Sequence, residues 1–175
     1  MVETAKYERV REIDEVEIRR YPKLVVATVG NPEGASRFNL LFRYISGENR
    51  SRAKLSMTTP VITQEKIDMT APVISDNESM SFVLPSKYSI SDVPESTDSR
   101  VQVRELHERY VATLRFRGLA WKTSTEKHTK QLLAVLERNG ISVTGQPVLM
   151  QYNSPWTPGF MRRNEVGVEV DYRES

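Results

Sequence analysis

Two short motifs of this chain recur about 85 residues apart, and this internal match constrains the fold more than any other feature. Val25–Thr28 reads VVAT and Tyr110–Thr113 reads YVAT, while Val16–Arg19 (VEIR) resembles Val101–Arg104 (VQVR). Each VAT motif is followed by a helical pattern, then by a proline-containing strand and a last strand. A period this long is typical of a duplicated supersecondary unit rather than of a solenoid.

The duplication predicts one α+β domain over residues 1–175, with repeats at approximately 7–85 and 101–172. Each repeat reads strand(s)–helix–strand–strand. Two such units would pair their strands into one curved antiparallel sheet with a helix packed on each half. Neither half could bury its helix face alone, so we expect a single compact unit.

Each repeat has one helix with recognisable ends. In the first, Asn31 can cap the helix, Pro32 suits its first turn and Gly47 suits its end. In the second, Thr123–Glu126 matches a capping box, and Asn139-Gly140 closes the helix. The first helix has an amphipathic row at i, i+3, i+4 and i+7, with a second apolar row of Leu40 and Tyr44 beside it. The main row consists of Phe38, Leu41, Phe42 and Ile45.

Composition excludes several classes of function. Hydrophobic residues are 38% and charged residues 27% of the 175, which indicates a globular rather than a disordered chain. The net charge of +2 is too small to indicate nucleic-acid binding. The absence of cysteine excludes disulfides, thiolate metal sites and covalent c-type haem attachment. The N-terminus lacks the apolar core of a signal peptide, and no apolar run is long enough to span a bilayer. We expect a cytoplasmic monomer.

A second, shorter repeat lies in the middle of the chain. Lys54–Ile62 (KLSMTTPVI) recurs twelve positions later as Lys66–Ile74 (KIDMTAPVI). Because proline cannot donate to a strand ladder, both copies should lie at a sheet edge or at a bulge. The polar segment Thr63–Glu65 between them is short enough for a hairpin loop.

The loop before the last strand carries large apolar side chains next to cations. Trp156, Phe160 and Met161 are followed directly by Arg162 and Arg163. Rings and a thioether can cover a flat apolar ligand face, and guanidinium groups pair with carboxylates. The alternative, equally supported by these residue types, is that Trp156 plugs the end of the barrel and the arginines are structural.

Catalytic residues are scarce, and we expect no enzyme activity. His107 lies in a polar strand end and His128 in the second helix. Either could ligate a metal, but a solvated histidine is the more common case. Glu65 and Asp68 are close in sequence, yet two carboxylates on a hairpin usually guard a sheet edge. No Ser/His/Asp set, HExxH or phosphate-binding glycine loop occurs, and any metal ligand is unknown.

Three separated motifs resemble the SOUL haem-binding protein family in its bacterial and archaeal form. They are KLSMTTPVI with KIDMTAPVI and MSFVLP (54–85), the helix end FRYISG (42–47), and the loop that ends in RRNEV (162–166). The resemblance spans roughly residues 7–170. It implies a distorted eight-stranded β-barrel with two helices and pseudo-two-fold symmetry. It also implies non-covalent binding of haem or a related tetrapyrrole, as in a cytosolic buffer or carrier.

The resemblance places the pocket between the first helix and the loop before the last strand. Arg43 would sit where a basic residue meets a propionate, with Arg162 as a further cation at the loop. The apolar walls would come from Phe38, Leu41, Phe42 and Ile45 on the helix and from Trp156 and Phe160 on the loop.

Two departures from the family pattern bear on the ligand. Several animal members carry a lysine where this chain has Thr157, so one propionate partner is absent. Neither the first helix nor the last loop contains a histidine. The weaker axial candidates are Met57, Met69, Met161 and Tyr44. We therefore expect hydrophobic, largely unligated binding of haem.

A binder of another class fits the same pattern. The expected fold is similar to the ligand-binding domains of bacterial multidrug-responsive regulators, which receive planar organic cations on a buried glutamate. This chain has no helix–turn–helix extension and would act as a stand-alone effector-binding module. A third possibility is an enzyme acting on a bound tetrapyrrole, for which Asp68 and His128 would be the candidates.

Overall fold

The computed structural model describes residues 3–64, 78–153 and 156–174. Within them the chain forms two α-helices, α1 (Arg37–Ile45) and α2 (Lys122–Arg138), and one 3₁₀ turn (Gly159–Met161). The strands of this described part are β1 (Glu3–Thr4), β2 (Glu8–Ile13), β3 (Val16–Tyr21), β4 (Leu24–Val29), β5 (Thr58–Gln64), β6 (Ser79–Val83), β7 (Val101–Leu106), β8 (Arg109–Arg117), β9 (Ser142–Val143), β10 (Val148–Gln151) and β11 (Arg163–Asp171).

These strands belong to one sheet that curls on itself. Its order is β2-β3-β8-β11-β10-β5-β6-β4-β7, with β1 added beside β5 and β9 beside β11. β7 lies at one end of this order and β8 near the other, yet only His107 and Glu108 separate them along the chain. The two ends of the sheet must therefore approach each other.

The fold is a curled antiparallel half-barrel with two helices, which confirms the expected α+β class and the curved antiparallel sheet. The described residues form eleven strands rather than the expected eight. β2 adds a strand outside β3, the two-residue β1 and β9 pair off the main path, and β1 runs parallel to β5.

The two halves of the sheet share one pairing pattern. In the second VAT motif Val111 pairs with Arg19 of β3, and in the first Val26 pairs with Arg104 of β7. β8 lies between β3 and β11, as β4 lies between β7 and β6. The motif spacing read from the sequence therefore corresponds to equivalent places in the sheet.

The helices cover one face of the sheet, here called the outer face. α1 packs on β4, β6 and β7 through a cluster that includes Ala27 and Leu41, and α2 packs on β8 and β11 through one that includes Ala112 and Leu132. The opposite, inner face holds a third cluster drawn from both halves: Ala5, Tyr21, Val26, Val83 and Val111. Alternation along each strand sends successive side chains to the two faces.

The helix ends agree only partly with the sequence prediction. α1 begins at Arg37, because the Ser36 hydroxyl accepts from the Asn39 amide, so the predicted start at Asn31 and Pro32 is wrong. α2 begins at Lys122 without a side-chain cap, so the predicted capping box at 123–126 lies inside its first turn. The predicted end at Asn139-Gly140 is confirmed. Neither helix of residues 3–64, 78–153 and 156–174 is long and apolar enough to cross a bilayer.

The proline of the first KLSMTTPVI copy lies at a strand irregularity. The β5–β6 register shifts between Thr58 and Val61, on either side of Pro60. β5 is not an edge strand, since it pairs with both β6 and β10, so the bulge interpretation is the correct one for this copy. Thr63 and Gln64, predicted as part of a hairpin loop, belong instead to β5 and pair with Met80 and Ser79 of β6. Glu65 and the second copy lie outside the described residues.

Candidate functional site

The aromatic edge of α1 faces outward. The Phe38 ring is 37% exposed and the Phe42 ring 52% exposed. The two rings stack with centroids 6.1 Å apart and planes 11° apart, and Phe38 meets Phe82 of β6 edge-on at 5.4 Å. α1 therefore presents a pair of rings to solvent beside β6.

The other two residues of the predicted helix row take a different place. Leu41 and Ile45 are buried in the cluster under α1, together with the second row, Leu40 and Tyr44. The buried stripe of the helix thus runs between the two predicted rows. Phe38 and Phe42 lie at its margin, so they alone of the predicted row offer apolar surface to a ligand.

The loop before β11 also exposes its apolar side chains. Trp156 is 92% exposed, Phe160 78% and Met161 61%. The 3₁₀ turn packs against the β8–α2 connection: a Cβ added at Gly159 would lie 3.4 Å from Leu119 Cγ. The interpretation of Trp156 as a plug for the barrel end is therefore wrong.

The strands β5 and β10 lie between these two exposed segments. Val61 of β5 pairs with Phe82 on one side and with Gln151 of β10 on the other. The chain enters the Trp156 loop directly after Gln151. Two strand spacings of about 4.8 Å separate β6, on which Phe38 packs, from β10, so the loop begins about 10 Å from that strand. Its 3₁₀ turn lies further along the sheet, against the β8–α2 connection.

The predicted cations already have partners. Arg43 is exposed and forms an ion pair with Glu48 at 2.9 Å. Arg162 donates through Nε to the Thr157 carbonyl at 2.8 Å, which closes the loop on itself. Both side chains lie on the segments that carry the exposed aromatics.

The two histidines have different surroundings. His107 is exposed and lies 3.3 Å from Glu169 Oε1. His128 stacks on Phe116, with ring centroids 4.4 Å apart, and its Nδ1 donates to the Ser124 carbonyl at 2.7 Å. Within the described residues no group of three or more His, Cys, Asp or Glu side chains is placed to hold a metal ion.

The inner face contains a buried ion pair that sequence reasoning missed. Arg19 and Glu165 are almost completely buried, and both carboxylate oxygens of Glu165 accept from the guanidinium of Arg19, one of them at 2.8 Å. Arg19 also donates to Glu17 at 2.8 Å, and Arg163 approaches Glu165 at 3.3 Å. The Arg19 guanidinium lies 4.1 Å from the centroid of the Tyr7 ring.

Charge and burial act against each other in this cluster. Burial would raise the pKa of the Glu165 carboxyl, but hydrogen bonds and charge from Arg19 outweigh it and leave the pKa lowered. Burial raises the pKa of the Tyr152 hydroxyl, and the neighbouring Tyr21 and Glu165 add to that effect. Glu165 is therefore held as a carboxylate whose charge is already matched.

Two sequence signals could have revealed this pair. Arg19 sits at an inward position of β3, between buried Ile18 and Tyr21, where alternation calls for an apolar residue. Glu165 lies in the buried part of β11, directly before Val166, and ends the RRNE run of the loop signature. Charges of opposite sign in two buried strands predict a pair, because a single buried charge is too costly.

The fold is thus a curled antiparallel half-barrel with two helices on one face, exposed aromatics at one helix edge and in one loop, and a buried ion pair on the inner face. Residues 2–169 match the model of the SOUL heme-binding protein family. The chain belongs to that family, as its motifs indicated.

Individual relatives are more distant. The chain is similar to "Heme-binding protein 1" of Xenopus laevis, 26% identical over 126 residues, which are 72% of this chain and 65% of that relative's length. In fold it is similar to the EcmrR C-terminal domain, with TM-score 0.66 and 13% identity over 90% of this chain and 98% of that one. It also resembles SAV2435, solved bound to tetraphenylphosphonium, with TM-score 0.50 and 8% identity over 90% and 94%.

Proposed function

We propose that the protein binds haem or a related tetrapyrrole non-covalently on the outer face, between the α1 aromatic edge and the Trp156 loop. The observation that carries the proposal is the exposure of Phe42, Trp156 and Phe160 on α1 and on the loop that follows β10, a strand two places from β6 in the sheet. Large exposed apolar side chains grouped in this way mark binding surfaces rather than ordinary solvent-facing positions. Membership of the SOUL heme-binding family supports the choice of ligand.

The residue chemistry fits a porphyrin. One face of the porphyrin would be covered by the rings of Phe38 and Phe42, and the other by those of Trp156 and Phe160. Arg43 would pair with a propionate after releasing Glu48. That exchange is inexpensive, because an exposed ion pair contributes only about 0–1 kcal/mol.

The exposure of the surface sets the expected affinity. A ligand of about 40 non-hydrogen atoms gains at best roughly 0.3 kcal/mol per atom, or about 12 kcal/mol. A shallow surface realises about half to two-thirds of this, which corresponds to a dissociation constant of about 10⁻⁴ to 10⁻⁶ M. Such a range suits a buffer or carrier that releases its ligand, and we propose that the protein performs no chemistry on it.

A haemin titration followed by the Soret band tests the proposal. We expect saturable binding, weakened about tenfold or more by Phe42→Asp and by Trp156→Ala. Ile90→Asp is the matched control, because Ile90 is an exposed apolar residue outside both segments. A spectrum of free haemin at high protein concentration, or equal weakening by all three substitutions, would contradict the proposal.

The alternative of a cation-binding effector module has one structural feature in its favour, a buried glutamate on the inner face. Glu165, however, already accepts from Arg19 and lies 3.3 Å from Arg163. A cation would have to displace a buried arginine. We therefore expect tetraphenylphosphonium to bind more weakly than haemin, and tighter binding that is lost in Glu165→Gln would favour the alternative.

A further inference from the structure

A polar cavity of about 580 Å³ opens on the inner face, at the end of the sheet where β4 and β5 finish and β6 and β7 begin. It is separate from the outer-face surface proposed for the tetrapyrrole. The side chains that matter for its chemistry are those of Thr28, Ser79, Arg100, Gln102 and Arg104. The volume is within the range of small-molecule sites, about 300–1,000 Å³.

The duplication shows what this cavity corresponds to. The match of VEIR to VQVR makes Arg104 the counterpart of Arg19. In the sheet Arg19 pairs with Val111 and Arg104 with Val26, so each arginine pairs with the valine of the VAT motif in the other repeat. The cavity therefore occupies, in one half of the sheet, the place that the buried ion pair occupies in the other half.

Both acids that neutralise Arg19 have neutral counterparts here. The counterpart of Glu17 in the VEIR motif is Gln102. The counterpart of Glu165 follows from the threonines of the two VAT motifs: Thr113 pairs with Gly167 of β11, and Thr28 pairs with Ser81 of β6. Two residues before Gly167 is Glu165, and two residues before Ser81 is Ser79. Arg104 thus keeps the position of Arg19 but loses both carboxylates.

The other charges at the cavity are already matched. Arg100 donates to Asp98 at 2.8 Å and holds the pKa of that carboxyl at about 2, and Glu78 pairs with Arg37 at 2.9 Å. Over residues 3–64, 78–153 and 156–174, no carboxylate lies within ion-pair distance of Arg104. Arg104, a guanidinium without an acid partner in the described part of the chain, therefore lines a cavity to which Thr28, Ser79 and Gln102 contribute neutral polar side chains.

We propose that this cavity binds a small organic carboxylate, whose carboxyl group pairs with Arg104 in the place that Glu165 takes beside Arg19. A guanidinium binds a carboxylate through two parallel hydrogen bonds, as Arg19 does with Glu165. Gln102 and Ser79, at the positions that correspond to Glu17 and Glu165, add neutral hydrogen-bond donors.

The test uses citrate as the probe and inorganic phosphate as the comparison, at low ionic strength, followed by amide chemical shifts of residues 100–104 and by calorimetry. We expect saturable citrate binding that Arg104→Gln weakens at least tenfold. Ser79→Glu, which restores the missing acid, should weaken citrate binding by a similar factor. Arg50→Gln, which removes the same charge from an exposed loop, should leave it unchanged.

Three results would overturn the inference: absence of saturable citrate binding, equal loss in Arg104→Gln and Arg50→Gln, or phosphate binding as tight as citrate. Circular dichroism of each variant distinguishes loss of the site from loss of the fold. Since Arg104 is an exposed side chain with no ion-pair partner among the described residues, we expect its substitution to leave the fold intact. Haemin binding, which uses the outer face, should be the same in all these variants.

Discussion

Arg19 donates to both carboxylate oxygens of Glu165, a residue 146 positions further along the chain, inside a sheet that excludes both from solvent. The pair ties the third strand to the last one across β8. Because both charges are buried, removing either partner would leave an uncompensated charge inside the sheet.

Breaking this pair should destabilise the protein strongly. Glu165→Gln leaves the Arg19 charge buried beside Glu17 alone, so we expect the free energy of unfolding to fall by roughly 3–5 kcal/mol. Urea denaturation measures it. Glu12→Gln, which removes half of an exposed pair with Arg9, is the control and should cost less than about 1 kcal/mol. The double variant Arg19→Met with Glu165→Leu should recover much of the loss. Equal destabilisation by Glu165→Gln and by Glu12→Gln would contradict this account.

Stability should also fall in acid because of Glu165. Its folded-state pKa lies below the unfolded value of 4.5, so its contribution is complete above that value and is lost as pH falls through the folded pKa. Unfolding free energies at pH 7 and pH 3 should differ more in the wild-type protein than in the Arg19→Met, Glu165→Leu variant. Equal pH dependence in the two proteins would show that Glu165 is not the group responsible.

A side chain at Gly167 would force the end of the Met150 side chain to move. A Cβ placed there would lie 2.6 Å from Met150 Cε and 3.3 Å from Val111 Cγ1, on the inner face of β11. We expect Gly167→Ala to cost about 1–3 kcal/mol in thermal or urea unfolding. Gly30→Ala, whose new Cβ meets nothing nearer than 3.9 Å, is the matched control. Shortening Met150 to Val in the Gly167→Ala background should return part of the loss, and a neutral Gly167→Ala would refute the close packing.

Iron coordination should contribute little to binding. Neither histidine lies on α1 or on the Trp156 loop: His128 is in α2 with its ring stacked on Phe116, and His107 is on the surface beside Glu169. Haemin and metal-free protoporphyrin should therefore bind with affinities within about threefold, and His128→Ala should leave the haemin spectrum unchanged. A clear preference for haemin that His128→Ala removes would identify that imidazole as an axial ligand.

The sequence predicted the curved antiparallel sheet and the two helices because each depends on local periodicity. Val16–Tyr21 is the predicted strand, and the two VAT motifs occupy equivalent positions in the sheet. The predicted start of α1 was wrong because Asn31 and Pro32 satisfy the local rules for a helix start. In the structure the chain makes one more turn, and Ser36 caps the helix. Nothing local decides between two acceptable caps.

The candidate site could be predicted only in part. Exposure of Trp156 and burial of Leu41 depend on how the loop and the helix sit on the sheet, which residue types alone do not specify. The Arg19–Glu165 pair joins residues 146 positions apart, and its recognition needs the strand order. The contrast between Arg19 and Arg104 appears only when the register of both halves is known.

The central claim is the location of the tetrapyrrole, and paramagnetic broadening of backbone amide signals by stoichiometric haemin tests it most directly. We predict selective loss of signal at residues 38–46 and 156–163, with the amides of residues 100–104 on the inner face unaffected. Broadening centred on the inner face, or none at saturating haemin, would contradict a binding surface between α1 and the Trp156 loop.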